Sequence, residues 1–162
     1  MEKITIKSPT VKNILSAIAV PIIGFLLLNL VFILDFLFQP AVRRIFAFFG
    51  RDMNPEQNLF FIPPFLHILF AILILLISMF VLRSKLGPVW KAIYLTVPWA
   101  VALATLGILL HQQPIILAVI GLMLTISILV YLYRTKQPWI YYYSVILVAV
   151  VLSVFTLMGG EI

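Results

Sequence analysis

Five polar side chains stand out in a chain that is otherwise nearly all hydrocarbon: Asp35, His67, His111, Gln112 and Gln113. Asp35 lies inside the run Phe32-Ile33-Leu34-Asp35-Phe36-Leu37-Phe38. An ionised carboxylate among such neighbours is expensive in hydrocarbon and normally faces a partner or a water-filled cavity. An imidazole brings a proton acceptor at neutral pH. A carboxylate that orients an imidazole is the minimal equipment of a general base. The residue types therefore point to a polar pocket built from Asp35, His67, His111, Gln112 and Gln113. Asp35 also has a competing structural partner. It lies three residues from the end of its apolar run, and Arg43 or Arg44 of the following segment would pair with it. Two histidines and a carboxylate are also the inventory of a metal site. Here they come from three separate segments, so the spacing gives that reading no support and no metal is expected. Asn29, midway along the first run and off the Asp35 face, is a separate candidate for an interhelical hydrogen bond.

The motifs that would complete a known chemistry are missing. There is no cysteine, which excludes disulfides, thiolate metal sites and cysteine nucleophiles. The chain contains no glycine-rich phosphate loop, no HExxH and no GxSxG. Only one carboxylate sits within an apolar run, so a two-acid hydrolase or a multi-step proton relay is poorly supplied. No catalytic residue and no cofactor are assigned from the sequence.

The elements that must position these residues are membrane helices. Of 162 residues, 64% are hydrophobic and only 10% charged, against about 25% charged in a soluble domain. The expected fold class is all-α, a single polytopic domain over 1–162 with five transmembrane helices at 16–38, 61–82, 89–110, 115–133 and 139–158. Each run is close to the roughly 20 residues that a bilayer requires. Between the first two runs, Pro40 stands at a plausible first helical position and Gly50 at a stop. Arg43 and Arg44 there sit among Val42, Ile45, Phe46, Phe48 and Phe49. That pattern predicts a short interfacial helix at 40–50 with its apolar side in the lipid. The break at His111 to Pro114 is the shortest, but one helix across it would be about twice the length a bilayer needs. The first run is too long for a signal peptide and lacks its cleavage site, so it reads as a retained helix.

Charge orients the bundle. With the amino terminus cytoplasmic, that side holds Lys3, Lys7, Lys12, Arg83, Lys85, Lys91, Arg134 and Lys136. The other side holds Arg43, Arg44 and Arg51. The imbalance favours amino terminus inside and carboxyl terminus outside, and it places all five polar residues at the outer end. Each helix also carries a stripe of small or polar residues at helical spacing, which predicts its inward face. These stripes are Pro21, Gly24, Leu28 and Asp35; His67, Ala71, Ile74 and Ser78; Thr96, Ala100, Ala104, Gly107 and His111; Ala118, Gly121 and Thr125; and Tyr142, Ala149, Ser153, Thr156 and Gly160.

The net charge of +6 suits anionic lipid headgroups at the basic turns rather than nucleic acid. The small size and missing motifs point first to a non-enzymatic accessory or permease-type subunit of a larger membrane complex. A self-contained transporter or channel acting as a homo-oligomer comes second. A membrane enzyme on a lipid-borne substrate, with His67 or His111 as base, comes third. The expected location is a cell membrane, the inner membrane of a bacterium or archaeon being the simplest setting.

Overall fold

Proline starts most of the helices. Pro9, Pro88 and Pro114 open α1 (Pro9–Phe48), α3 (Pro88–Leu110) and α4 (Pro114–Arg134). A missing N–H costs nothing there, because the first-turn donors have no intrahelical partner. α2 (Ile62–Arg83) carries Pro63 and Pro64 in its first turn, and α5 (Trp139–Leu157) follows Pro138. The computed structural model describes residues 8–49 and 62–157, and over these the chain is an all-α bundle. All five helices are long and apolar enough to cross a membrane.

The helix ends explain the short turns. Lys91 Nζ donates to the carbonyl of Leu82 at 2.7 Å, placing a cation on the carboxyl end of α2 where the helix dipole favours it. α4 ends in a Schellman motif: Lys136 N–H donates to Tyr133 O and Gln137 N–H to Leu132 O. The residue in the left-handed position is Lys136, at φ 51°, where glycine is usual.

α3 is the central helix and touches all four others. Its buried face is Thr96, Val97, Ala100, Val101, Ala104 and Gly107. Gly24 of α1 meets it so closely that a Cβ there would lie 3.0 Å from Thr96 Oγ1. In lipid the helices gain little from the hydrophobic effect, so close backbone approach and dispersion hold such a contact. α3 is tied to α5 by Trp99, whose Nε1–H donates to Val145 O at 3.2 Å.

The expected 16–38 helix and the interfacial helix at 40–50 are one continuous helix of 40 residues. Pro40 lies inside it, as does Pro21. A proline removes one i−4 bond and costs a helix about 3 kcal/mol, and α1 nevertheless runs through both. For Pro21 the compensation is visible. The carbonyl it leaves without an intrahelical donor is that of Ala17, and Tyr143 of α5 donates its hydroxyl to it at 3.1 Å. Residue 50 of the expected interfacial segment lies outside the described residues.

The inward stripes hold for three helices. On α1 Gly24 and Asp35 are buried, on α2 all four positions are, and on α3 all but His111. On α4 Gly121 and Thr125 are half-buried and Ala118 is exposed. The α5 stripe is displaced. Its buried face is Ile140, Tyr141, Ser144, Val145 and Val148, while Ser153 and Thr156 are exposed. Thr156 donates its hydroxyl to Leu152 O, one turn back on its own helix, so it needs no neighbour. Gly160 lies outside the described residues.

Candidate functional site

Asp35 and His67 are brought together. On α1, Asp35 follows Gly24 and Val31 along the buried face. On α2, His67 lies beside Leu66 and one turn before Phe70 and Ala71. The two helices therefore meet with these polar groups facing each other, and His67 Nδ1 lies 2.7 Å from Asp35 Oδ2. With the carboxylate ionised it can only accept, so the imidazole donates its Nδ1–H. Asp35 is 8% exposed and His67 6%.

An apolar layer separates the pair from the centre of the bundle. Val31, Phe70, Ala71, Ile74, Val97 and Val101 form one buried cluster across α1, α2 and α3. Phe38 caps it, its ring 5.5 Å from that of Phe70. Asp35 Oδ1 and His67 Nε2 are buried and have no hydrogen-bond partner among the described residues.

The other expected members of the pocket stand apart. His111, Gln112 and Gln113 are exposed in the turn between α3 and α4. His111 Nδ1 lies 3.1 Å from the carbonyl of Ile108 on its own helix, and Gln113 N–H donates to Leu110 O. His111 keeps helical backbone angles (φ −54°, ψ −31°) one position past the end of α3, but its side chain is exposed there. The five-residue pocket thus reduces to a two-residue site. The alternative partners of Asp35 are not used either: its contact is with His67, the one carboxylate–base contact of this kind among the described residues. Arg44 is exposed, and Arg43 is half-buried with its Nε enclosed and without a partner among those residues.

Asn29 does not reach across to another helix. Its Nδ2 donates to Phe25 O at 2.7 Å and the side chain is exposed. An amide can satisfy itself on its own helix just as a hydroxyl does. No group of three or more His, Cys, Asp or Glu residues suited to a metal occurs among the described residues.

A second feature lies deeper. A groove of about 310 Å³ opens between α1, α3 and α5, lined by Pro21, Gly24, Leu28, Thr96, Ala100 and Val148 among others. Its only hydroxyl, on Thr96, donates to Ile93 O at 2.7 Å. The groove is therefore apolar throughout and presents nothing to strip or replace the water around an ion.

Sequence reasoning found Asp35 and His67 but not the Tyr143–Ala17 bond. The signal for it was present: a proline within a membrane helix frees a carbonyl, and the Tyr141-Tyr142-Tyr143 run supplies donors.

The site belongs to a five-helix, all-α bundle of membrane-spanning length with one buried carboxylate–imidazole pair. No family model, no curated protein and no solved structure matches the chain.

Proposed function

We propose that the chain is a non-enzymatic subunit of a larger membrane complex and that it holds its partner along α1. The observation that carries this reading is the length of α1. Its contact with α3 through Gly24 and Thr96 sets α3 level with about residues 16–38 of α1. α2, α3, α4 and α5 have 19 to 23 residues, about the 30 Å of a bilayer core at roughly 1.5 Å per residue. α1 has 40, so it projects about 10 Å beyond them at one end and about 15 Å at the other. The longer projection carries Ile45, Phe48 and Phe49, of which Phe48 is 86% exposed. The hydrocarbon that covers the rest of the bundle does not extend that far. Apolar area left in water costs about 25 cal/mol per Å², and a partner removes that cost.

The apolar groove favours this reading over a transporter, which needs a polar path at mid-membrane. One observation favours a second reading. Asp35 orients His67 as a general base requires, so a membrane enzyme acting on a lipid-borne substrate is the runner-up. The basic residues that collect on the amino-terminal side support a cell-membrane setting with the amino terminus cytoplasmic.

The test is photo-crosslinking in membranes with a reactive residue at Phe48 or Phe49, against Leu122 on α4 as control, followed by gentle purification and mass spectrometry. A discrete protein adduct from the α1 positions alone, with the same chain co-purifying in fixed ratio, is expected. Lipid adducts at every position would overturn the reading.

A further inference from the structure

Asn29 faces outward in the middle of the span. α3 stands level with about residues 16–38 of α1, and Asn29 lies near the centre of that stretch with its side chain exposed. At about 100° per residue it is roughly 140–180° around α1 from buried Val20, Gly24 and Val31. Exposed Ser127 and Thr156 each give their one hydrogen to a carbonyl a turn back on their own helix. Asn29 cannot be completed in that way. An amide carries two N–H donors and an acceptor oxygen. One N–H goes to Phe25 O. The other N–H and Oδ1 have no partner among the described residues, and hydrocarbon holds no water to supply one.

The residues around Asn29 form a seam. Ile18, Ile22, Phe25, Phe32 and Phe36 are exposed on the same side of α1, and with Asn29 among them they follow in alternating steps of four and three. That is the repeat of helices that wind around one another, and a lone Asn in such a seam fixes register and copy number at some cost in stability. The apolar members alone would suit lipid equally well. Asn29 is the member that lipid does not suit, so it is the one that calls for a second helix.

We propose that this seam pairs with the α1 of a second copy of the chain, Asn29 against Asn29. Copies inserted the same way are related by a twofold axis along the membrane normal, so their α1 helices run parallel and a residue near the axis meets itself. The free groups of Asn29 are one donor and one acceptor. Two copies therefore complete each other with a pair of N–H···O bonds, each amide donating to the other's Oδ1. A partner of different sequence would have to bring both groups at the same depth, and a second copy has them already. The proposal rests on this mid-membrane face and not on the projecting end of α1.

Two measurements test it. The first is photo-crosslinking in native membranes with a reactive residue at Ile22 or Phe36, and at Leu34 as control, which is exposed about 140° around α1 from Asn29. An adduct of twice the chain mass from the seam positions and not from Leu34 is expected. Adducts with lipid alone, or with a different protein, overturn the second copy as occupant. The second is self-association of the fluorophore-labelled full chain in phosphatidylcholine liposomes, read by energy transfer at rising protein density. Asn29→Leu suits a lipid-facing helix and leaves the fold intact, yet it weakens association about tenfold, the worth of about 1.4 kcal/mol. Asn29→Gln keeps the donor and the acceptor and retains most of the association. A chain that is monomeric at every density overturns the proposal, as does an Asn29→Leu chain that associates as tightly as the unmodified one. The partner at the projecting end is read at Phe48 and Phe49, so the two readings fail separately.

Discussion

Removing the imidazole is the sharpest perturbation of the Asp35–His67 pair. His67→Leu keeps most of the side-chain volume and leaves the Asp35 carboxyl with no partner. The size of the effect depends on burial. An exposed ion pair is worth roughly 0–1 kcal/mol, and neutral hydrogen bonds between membrane helices average about 0.6 kcal/mol. Neither figure applies to a pair whose members are 8% and 6% exposed and 2.7 Å apart. Breaking a buried pair from one side costs roughly 3–5 kcal/mol, a hundredfold or more in the folded fraction at about 1.4 kcal/mol per decade. Asp35→Leu, which strands only an imidazole, costs less. Replacing both by leucine removes the stranded group altogether, and such swaps are often neutral to within about 1 kcal/mol. The measurement is reversible unfolding in mixed micelles of rising SDS fraction, followed by far-UV circular dichroism, on the four members of the cycle. Strong coupling with recovery in the double variant is expected. If each single change costs under about 1 kcal/mol and the double equals their sum, the two residues do not act as a pair and the reasoning fails.

Other parts of the bundle give further tests by the same assay. Tyr143→Phe costs about 1 kcal/mol, and Pro21→Ala abolishes that cost, because it returns an intrahelical donor to the Ala17 carbonyl; equal costs in both backgrounds would refute the compensation. Gly24→Leu destabilises by roughly 1–3 kcal/mol through overpacking against Thr96, and Thr96→Ala in the same chain recovers part of it. Lys136→Gly stabilises by about 1 kcal/mol, because a left-handed residue with a Cβ pays roughly 1–2 kcal/mol; a lower midpoint would argue against the Schellman turn. The chain has no cysteine, so single cysteines at Ser84 and Gln112 report topology cleanly. An impermeant maleimide added to intact cells labels Gln112→Cys and not Ser84→Cys if the amino terminus is cytoplasmic.

Helix number, and the ends of α2 to α5 within the described residues, were legible because membrane helices are written in long apolar runs with proline and charge at their borders; α1, expected from 16, begins at Pro9. The merging of two expected elements into α1 was not. Pro40 carries the same local signal whether it opens a helix or sits inside one, since in both cases only its missing N–H is registered. Packing and length beyond the turn decide between them. The α5 stripe failed for a related reason. A hydroxyl does not by itself mark an inward face: Thr156 is exposed and bonds Leu152 O, and Thr96 is buried and bonds Ile93 O in the same way. The face that does pack on α3 uses Val145 and Val148, which look like any lipid-facing valine in sequence.

The candidate site shows where such reading stops. Topology fixes the depth of a residue in the bilayer, because it follows from counting along alternating helices. It does not fix rotation about the helix axis. Asp35, His67 and His111 were all assigned to one depth. Asp35 and His67 also share an azimuth, because each belongs to a buried stripe that extends through several turns: Gly24, Val31 and Asp35 on α1, and His67, Ala71, Ile74 and Ser78 on α2. His111 continues the stripe of Thr96, Ala100, Ala104 and Gly107 with helical backbone angles, but it stands at the end of α3, where its ring is exposed beside Ile108 O. A polar residue supported by stripe-mates on both its depth and its face can be paired across 32 positions of sequence. One at the end of its helix cannot, because nothing among the described residues covers it there, and the exposed imidazole of His111 is the consequence.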